Sequence, residues 1–363
     1  MARSRTQRIV RGLTLALGLL PVLCLLAEGG FRLVEAALGL EDQPLNAYRT
    51  WLLQGTPPGY ESSAHTGFLR RRSTETTNSW GFSDVEWSLG KTPGVPRILC
   101  LGGSTTECGS TRAEHGRYPE LLERTLEART GGDVEVLNAG IAGWTSAEIL
   151  GAWFLSLQDL APDVVVFHEG FHDLEPRLWR GFLPDYTSWR VPLAGGAATN
   201  PLERLLIAKS HLYVRLRRRA DPLPDVTSAT TAPGLEPEPL LAEGRLPRAT
   251  AAPYFRNVAS IAASARRQGA TVVLVTMPFE RARLDPYADA RAFGLEQNND
   301  GLRELARSAS YVLADAASVF AERHDELAPE FEDAVQLKKG GNQVKADVVA
   351  EALLAHGLSA PAR

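Results

Sequence analysis

The stretch Arg97-Ile98-Leu99-Cys100-Leu101-Gly102-Gly103-Ser104-Thr105-Thr106 constrains this chain more than any other. A short apolar run behind Pro96 that ends in two glycines reads as a buried β-strand closing in a tight turn. The turn delivers a hydroxyl, Ser104, to the end of the strand. Glycines there permit close backbone approach and leave peptide N–H groups to face a ligand, which suits the carboxyl edge of a parallel sheet.

Strand and helix signals alternate downstream. Tyr118 to Ala128 places Leu121, Leu122 and Leu126 at helical spacing, with Pro119 in the first turn. Val134 to Leu137 predicts a second strand, which opens into the loop Asn138-Ala139-Gly140-Ile141-Ala142-Gly143-Trp144. Thr145 and Glu148 then form a capping box that starts the next helix. Asp163 to Phe167, Thr271 to Thr276 and Tyr311 to Leu313 predict three further strands, and Val344 to Leu354 a last helix. Strands alternating with helices predict a mostly parallel α/β sheet of five strands, with ligands at the carboxyl ends. Ala220 to Thr250, rich in Pro, Ala, Thr and Glu and without apolar periodicity, predicts a flexible insertion or lid.

With 363 residues, 44% hydrophobic and 23% charged, the chain can bury a substantial core. A net charge of −4 and a pI near 6.0 give no field for nucleic acid, so no such partner is expected. The basic run Arg215 to Arg219 predicts a solvated helix face. Cys24, Cys100 and Cys108 offer neither a disulfide framework nor a metal-ligand spacing. At the N-terminus Arg3, Arg5, Arg8 and Arg11 precede the uncharged run Gly12 to Ala27, the layout of a signal peptide or a signal anchor. The poor cleavage site near Ala27 and the amphipathic continuation from Phe31 to Leu40 favour an uncleaved single-pass membrane anchor over residues 1–40. The remainder then lies in the periplasm or outside the cell. Residues 41–96 read as a polar extension, in which Trp80 and Phe82 of Asn78-Ser79-Trp80-Gly81-Phe82 staple the segment to the core.

Two further polar clusters stand at predicted element ends, His168-Glu169-Gly170-Phe171-His172-Asp173 after the third strand and Asp333-Ala334-Val335-Gln336 before the last helix. The first contains a literal H-E-x-x-H, in which two histidines one helical turn apart bind zinc and the glutamate is the base. That chemistry needs a helix. Here the motif follows a strand, contains Gly170 and meets Pro176, so a zinc hydrolase using His168, Glu169 and His172 is the minor reading, and no cofactor is expected.

Ser104 after two glycines would by itself read as a turn residue. With Gly103-Ser104-Thr105, Asn138 to Gly143, Gly170-Phe171-His172-Asp173 and Asp333 to Gln336 in that order, the chain from Pro96 to Leu354 resembles the SGNH (GDSL-like) hydrolase family. The resemblance implies a flavodoxin-like three-layer α/β/α sandwich over residues 97–358 and serine-dependent hydrolysis of acyl esters in envelope glycans or lipids. It implies Ser104 as nucleophile, and an oxyanion hole from the Ser104 and Gly143 N–H groups and the third-block side chain. Asp333 would be the acid that orients the base.

Two positions depart from the pattern. His172 stands where the family usually has asparagine, and an imidazole N–H can donate to an oxyanion as a carboxamide does. Gln336 stands where the family has its catalytic histidine, and a carboxamide has no useful basicity near neutral pH. Three outcomes remain open: His172 as a relocated base, an impaired esterase, or a pseudoenzyme that binds an acylated glycan or lipid. His115, His211, His324 and His356 lack motif context, His324 being the nearest substitute base in sequence. Trp144 lines a pocket or packs.

Overall fold

Strand formation follows the β-branched and aliphatic runs. In chain order, β1 (Tyr60–Ser63) and β2 (Gly67–Arg70) form an antiparallel hairpin. β3 (Arg97–Gly102), β4 (Glu135–Gly140), β5 (Val164–His168), β6 (Thr271–Val275) and β7 (Val312–Ala314) form one parallel sheet, in the order β4-β3-β5-β6-β7. The chain thus reverses its winding direction between β3 and β5, the crevice where ligands bind in doubly wound sheets. Register brings Gly102 level with Gly140 of β4 and His168 of β5, so three loops leave the sheet at one edge.

The structure is a computed structural model that describes residues 5–39, 43–193, 200–220 and 225–358. The chain divides into two compact units, one formed by Met1–Gly59 with Leu193–Asp225 and the other by Tyr60–Pro192 with Val226–Arg363. In the second unit Ile98, Cys100, Val136, Val164 and Val166 pack beneath Tyr118, Leu122 and Leu126 of the helix Tyr118–Thr130 and Val349 and Leu353 of the helix Lys339–Ala355. Each buried aliphatic contributes about 1.5–3 kcal/mol relative to exposure. The helices Ser146–Leu155, Ala252–Arg267 and Ala288–Ala309 cover the other face. This is the three-layer α/β/α sandwich expected from the sequence.

Local differences have local causes. The last helix starts at Lys339 and not Val344, because Gly340 and Gly341, which read as breakers, form its first turn against the Glu330 carboxylate. Glu330 accepts the Gly341 N–H at 2.9 Å, and a Cβ on Gly340 would stand 2.5 Å from it. Within the stretch 220–250, residues 221–224 lie outside the described residues. The rest is tied down by bonds such as Glu238 N–H to Leu178 O and Ala232 N–H to Trp189 O, each 2.8 Å, with Val226, Thr230 and Leu246 buried.

The membrane anchor is a correction. Among the described residues no helix is long and apolar enough to cross a membrane, which overturns the anchor and the periplasmic or extracellular placement drawn from it. Residues 5–38 do form one helix, but its uncharged run Gly12 to Ala27 falls short of the ~20 residues a span needs. Past that run the helix carries Glu28, and the continuation from Phe31 that was to lengthen it carries Arg32 and Glu35. Glu28 accepts bonds from Ser210 Oγ and the His211 and Leu212 N–H groups, capping the helix His211–Ala220, and Glu35 pairs with His211 and Arg215. Met1 to Ser4 and Leu40, parts of the same reading, lie outside the described residues.

Candidate active site

Ser104 is the first residue of a one-turn helix, Ser104–Glu107, that follows β3 without a loop. The turn is held from below: a Cβ on Gly102 would stand 2.1 Å from Thr106 Oγ1 and 2.3 Å from the His168 carbonyl, and Thr106 donates to that carbonyl at 3.1 Å. Only glycine lets the turn and β5 approach so closely. Lys345, fully buried on the last helix, donates to the Thr105 carbonyl at 2.8 Å and lies over the Tyr118 ring. Burial lowers its pKa.

Ser104 opens onto a cleft of about 170 Å³ whose walls include Arg70, Glu107, Ala142, Glu332, Asp333 and Gln336. Residues from the first, second and last sequence blocks therefore meet in one place. Asp333 Oδ1 accepts the Val335 N–H at 2.8 Å and the Gln336 N–H at 2.7 Å, so the carboxylate shapes the turn that presents Gln336. No histidine lines this cleft among the described residues.

Gly143 is not on the wall; its neighbour Ala142 is. Gly143 has φ +87°, a conformation open to glycine, and its carbonyl accepts from Arg190 Nη2 at 2.6 Å. Arg190 also pairs with Glu148 at 2.7 Å, and Glu148 closes the expected capping box on Thr145. The second-block loop is thus fastened to the start of its helix.

The third block sits behind the nucleophile turn. The motif from His168 to His172 spans the end of β5 and the start of a 3₁₀ turn, His172–Leu178, and not an α-helix. His168 Nδ1 lies 3.3 Å from Thr105 Oγ1, whereas His172 Nδ1 faces Glu169 Oε1 at 3.5 Å. The two imidazoles are engaged at different neighbours, and among the described residues no cluster of three His, Cys, Asp or Glu side chains is placed to share a metal. The α-helix that the zinc reading needs is not formed over this motif. Burial, with Lys345 adding to it, pushes the His168 pKa well below the ordinary imidazole value. Burial opposes charge on His172 as well, but the Glu169 carboxylate outweighs it, and the pKa lies above the ordinary value. Glu175 acts in the same direction and Arg190 against it.

Asp173 is a supporting group. It is fully buried and accepts from Ser146 N–H and Oγ and from the Tyr186 hydroxyl, at 2.8, 2.6 and 2.6 Å. Burial and then the Glu169 charge push its pKa up to about 6. His324 pairs with Glu280 at 3.0 Å and is not on the cleft wall. Trp144 is fully buried, donates to the Phe68 carbonyl at 3.1 Å and packs at right angles to Phe82, whereas Trp80, the other aromatic expected to staple the extension, packs on Trp87 within it.

Two wall residues carried no signal in the reading of the sequence. Glu107, one helical turn after Ser104 and only 2% exposed, accepts from Ser83 Oγ at 2.9 Å and Ala142 N–H at 2.7 Å. It pairs with Arg70 of β2 at 2.6 Å. The hint in the sequence is Gly67, a turn residue between the short segments Tyr60 to Ser63 and Phe68 to Arg70, which is compatible with a hairpin inside the polar extension.

A family model described as GDSL-like lipase/acylhydrolase matches residues 100–344, which is more than half of the chain. The chain belongs to this family. Among curated proteins no sequence match is found. Solved structures similar to this GDSL-like protein include LAE5, an alpha/beta hydrolase from the metagenome of Lake Arreo, Spain, at 18% identity and a TM-score of 0.44, covering 71% of this chain and 94% of that one. A mutant of Axe2, an acetyl-xylooligosaccharide esterase of Geobacillus, matches at 17% identity and 0.44, covering 73% and 95%. A lipase/acylhydrolase from Enterococcus faecalis matches at 14% and 0.43, covering 72% and 97%.

Proposed function

We propose that this GDSL-like protein hydrolyses acyl esters of glycans or lipids through Ser104, and that it does so slowly. One observation carries the reading: Ser104, Ala142, Asp333 and Gln336 line a single cleft. That the residues matching the family's nucleophile and acid line one cleft supports the reading, and the position of the family's histidine, on the same wall, holds a carboxamide. Gln336 cannot take the Ser104 proton, so water or hydroxide must, and preorganised dipoles sustain what rate remains. Glu169 raises the His172 pKa, which disfavours this imidazole as a base, and His172 lies behind Gly103 and off the cleft wall, so the reading gives it no part in the proton transfer.

That no histidine lines the cleft among the described residues also favours a second reading, a module that binds acyl esters without turnover. Labelling of the full chain by a fluorophosphonate, with Ser104→Ala as control, separates the two. Slow labelling that needs Ser104 supports hydrolysis. Labelling absent, or unchanged in Ser104→Ala, leaves the binding module.

A further inference from the structure

Arg70 lines the same cleft as Ser104, yet it comes from β2, outside the residues that match the family. Its guanidinium is fixed on two sides. Nε and Nη2 both meet Glu107 Oε1, at 2.8 and 2.6 Å, and the group lies 4.1 Å above the centre of the Tyr60 ring. Glu107 is itself locked by Ser83 and Ala142. Nη1 makes no hydrogen bond among the described residues, and the side chain keeps 22% exposure at the cleft. A guanidinium has donors only and keeps its charge, so what it holds best there is an acceptor oxygen that bears negative charge.

We propose that Arg70 is a catalytic residue that holds the negative charge developing on the ester carbonyl oxygen. The proposal rests on the reading that Ser104 attacks esters. In that step the Ser104 Oγ–carbon bond forms, the carbonyl π pair moves to oxygen, and the hydroxyl proton passes to water. Collapse restores the carbonyl and breaks the bond to the alcohol oxygen, which takes a proton from water. Water then releases the acyl group from Ser104 by the same sequence. The charge exists only between addition and collapse, and a prepositioned guanidinium stabilises it without reorganisation. A fixed anion on the substrate is the poorer partner, because Glu332 and Asp333 on the same walls repel it. The transient oxyanion, bonded to Ser104 itself, is held in place against that repulsion.

The test uses the full chain, with circular dichroism of each variant and Arg70→Lys as the variant that keeps a cation beside Glu107. On p-nitrophenyl acetate, Arg70→Gln is expected to lower kcat about 10²-fold with KM little changed. Guanidinium ion added to Arg70→Ala restores part of the rate, which a structural role would not allow. A loss confined to KM for the p-nitrophenyl half-ester of succinic acid overturns the proposal and assigns Arg70 to a fixed substrate anion. Unchanged kinetics overturn it outright. Phenylboronic acid, which forms a tetrahedral anion on a serine hydroxyl, tests the charge without turnover. Ser104-dependent boronate binding that weakens about tenfold in Arg70→Gln supports Arg70 even if no ester is hydrolysed. In that event the hydrolase reading alone fails. Equal binding in the two proteins, or none, refutes the role of Arg70.

Discussion

The Glu169 carboxylate occupies the space that a side chain on Gly103 would need: Oε2 lies 2.1 Å from where a Cβ would stand. The carboxylate cannot swing away freely, since Oε1 accepts the Gly170 and His172 N–H groups at 2.9 and 2.8 Å. Gly103 has φ −96°, so the demand for glycine is steric and not conformational. Gly103→Ala should therefore destabilise the protein by about 1–3 kcal/mol, read by denaturant unfolding, and should disturb Ser104 labelling. An unchanged midpoint would show that the turn can yield.

The same carboxylate governs His172. Glu169→Gln keeps an acceptor for the two N–H groups and removes the charge, so the His172 pKa should fall, measured by NMR titration of the ring protons. The sign carries into stability. A raised imidazole pKa contributes stability below the unfolded value, and that contribution is lost as pH rises through the folded value. The deficit of Glu169→Gln in thermal unfolding should thus be larger near pH about 5 than near about 8. An identical titration in both proteins would refute the coupling.

Glu123, which is not on the cleft wall, gives a second test of the same kind. Burial pushes its pKa up to about 7, although it accepts the Val136 N–H at 2.8 Å. Its protonated form is favoured in the fold, so its contribution is complete below the unfolded value of 4.5 and is lost as pH rises through about 7. Glu123→Gln should match the parent near pH about 4 and exceed it in melting temperature near about 8. A pH-independent difference would contradict this assignment.

Much of the fold was legible because its signals are local. The strand from Arg97, the capping box of Thr145 and Glu148, and the alternation of elements each depend on neighbours within a few residues. Gly340 and Gly341 misled because their partner is Glu330, ten residues away through a turn. The anchor misled for a similar reason: Glu28 and Glu35 find partners between Ser210 and Arg215 that no hydropathy window contains. Of the site, Ser104, Asp333 and Gln336 were legible as blocks. Arg70 and Glu107 were not, because only the packing of the hairpin brings those residues, 37 apart in sequence, into contact.

If the cleft is a hydrolase site short of its base, the base can be supplied. Ester turnover of Gln336→His, measured beside the parent with Ser104→Ala introduced into both, is the most direct test. Turnover should rise by about 10²-fold or more, vanish with Ser104→Ala and drop again with Asp333→Asn, since Asp333 would then have an imidazole to orient. No gain from the histidine in a folded protein would contradict the account of this cleft.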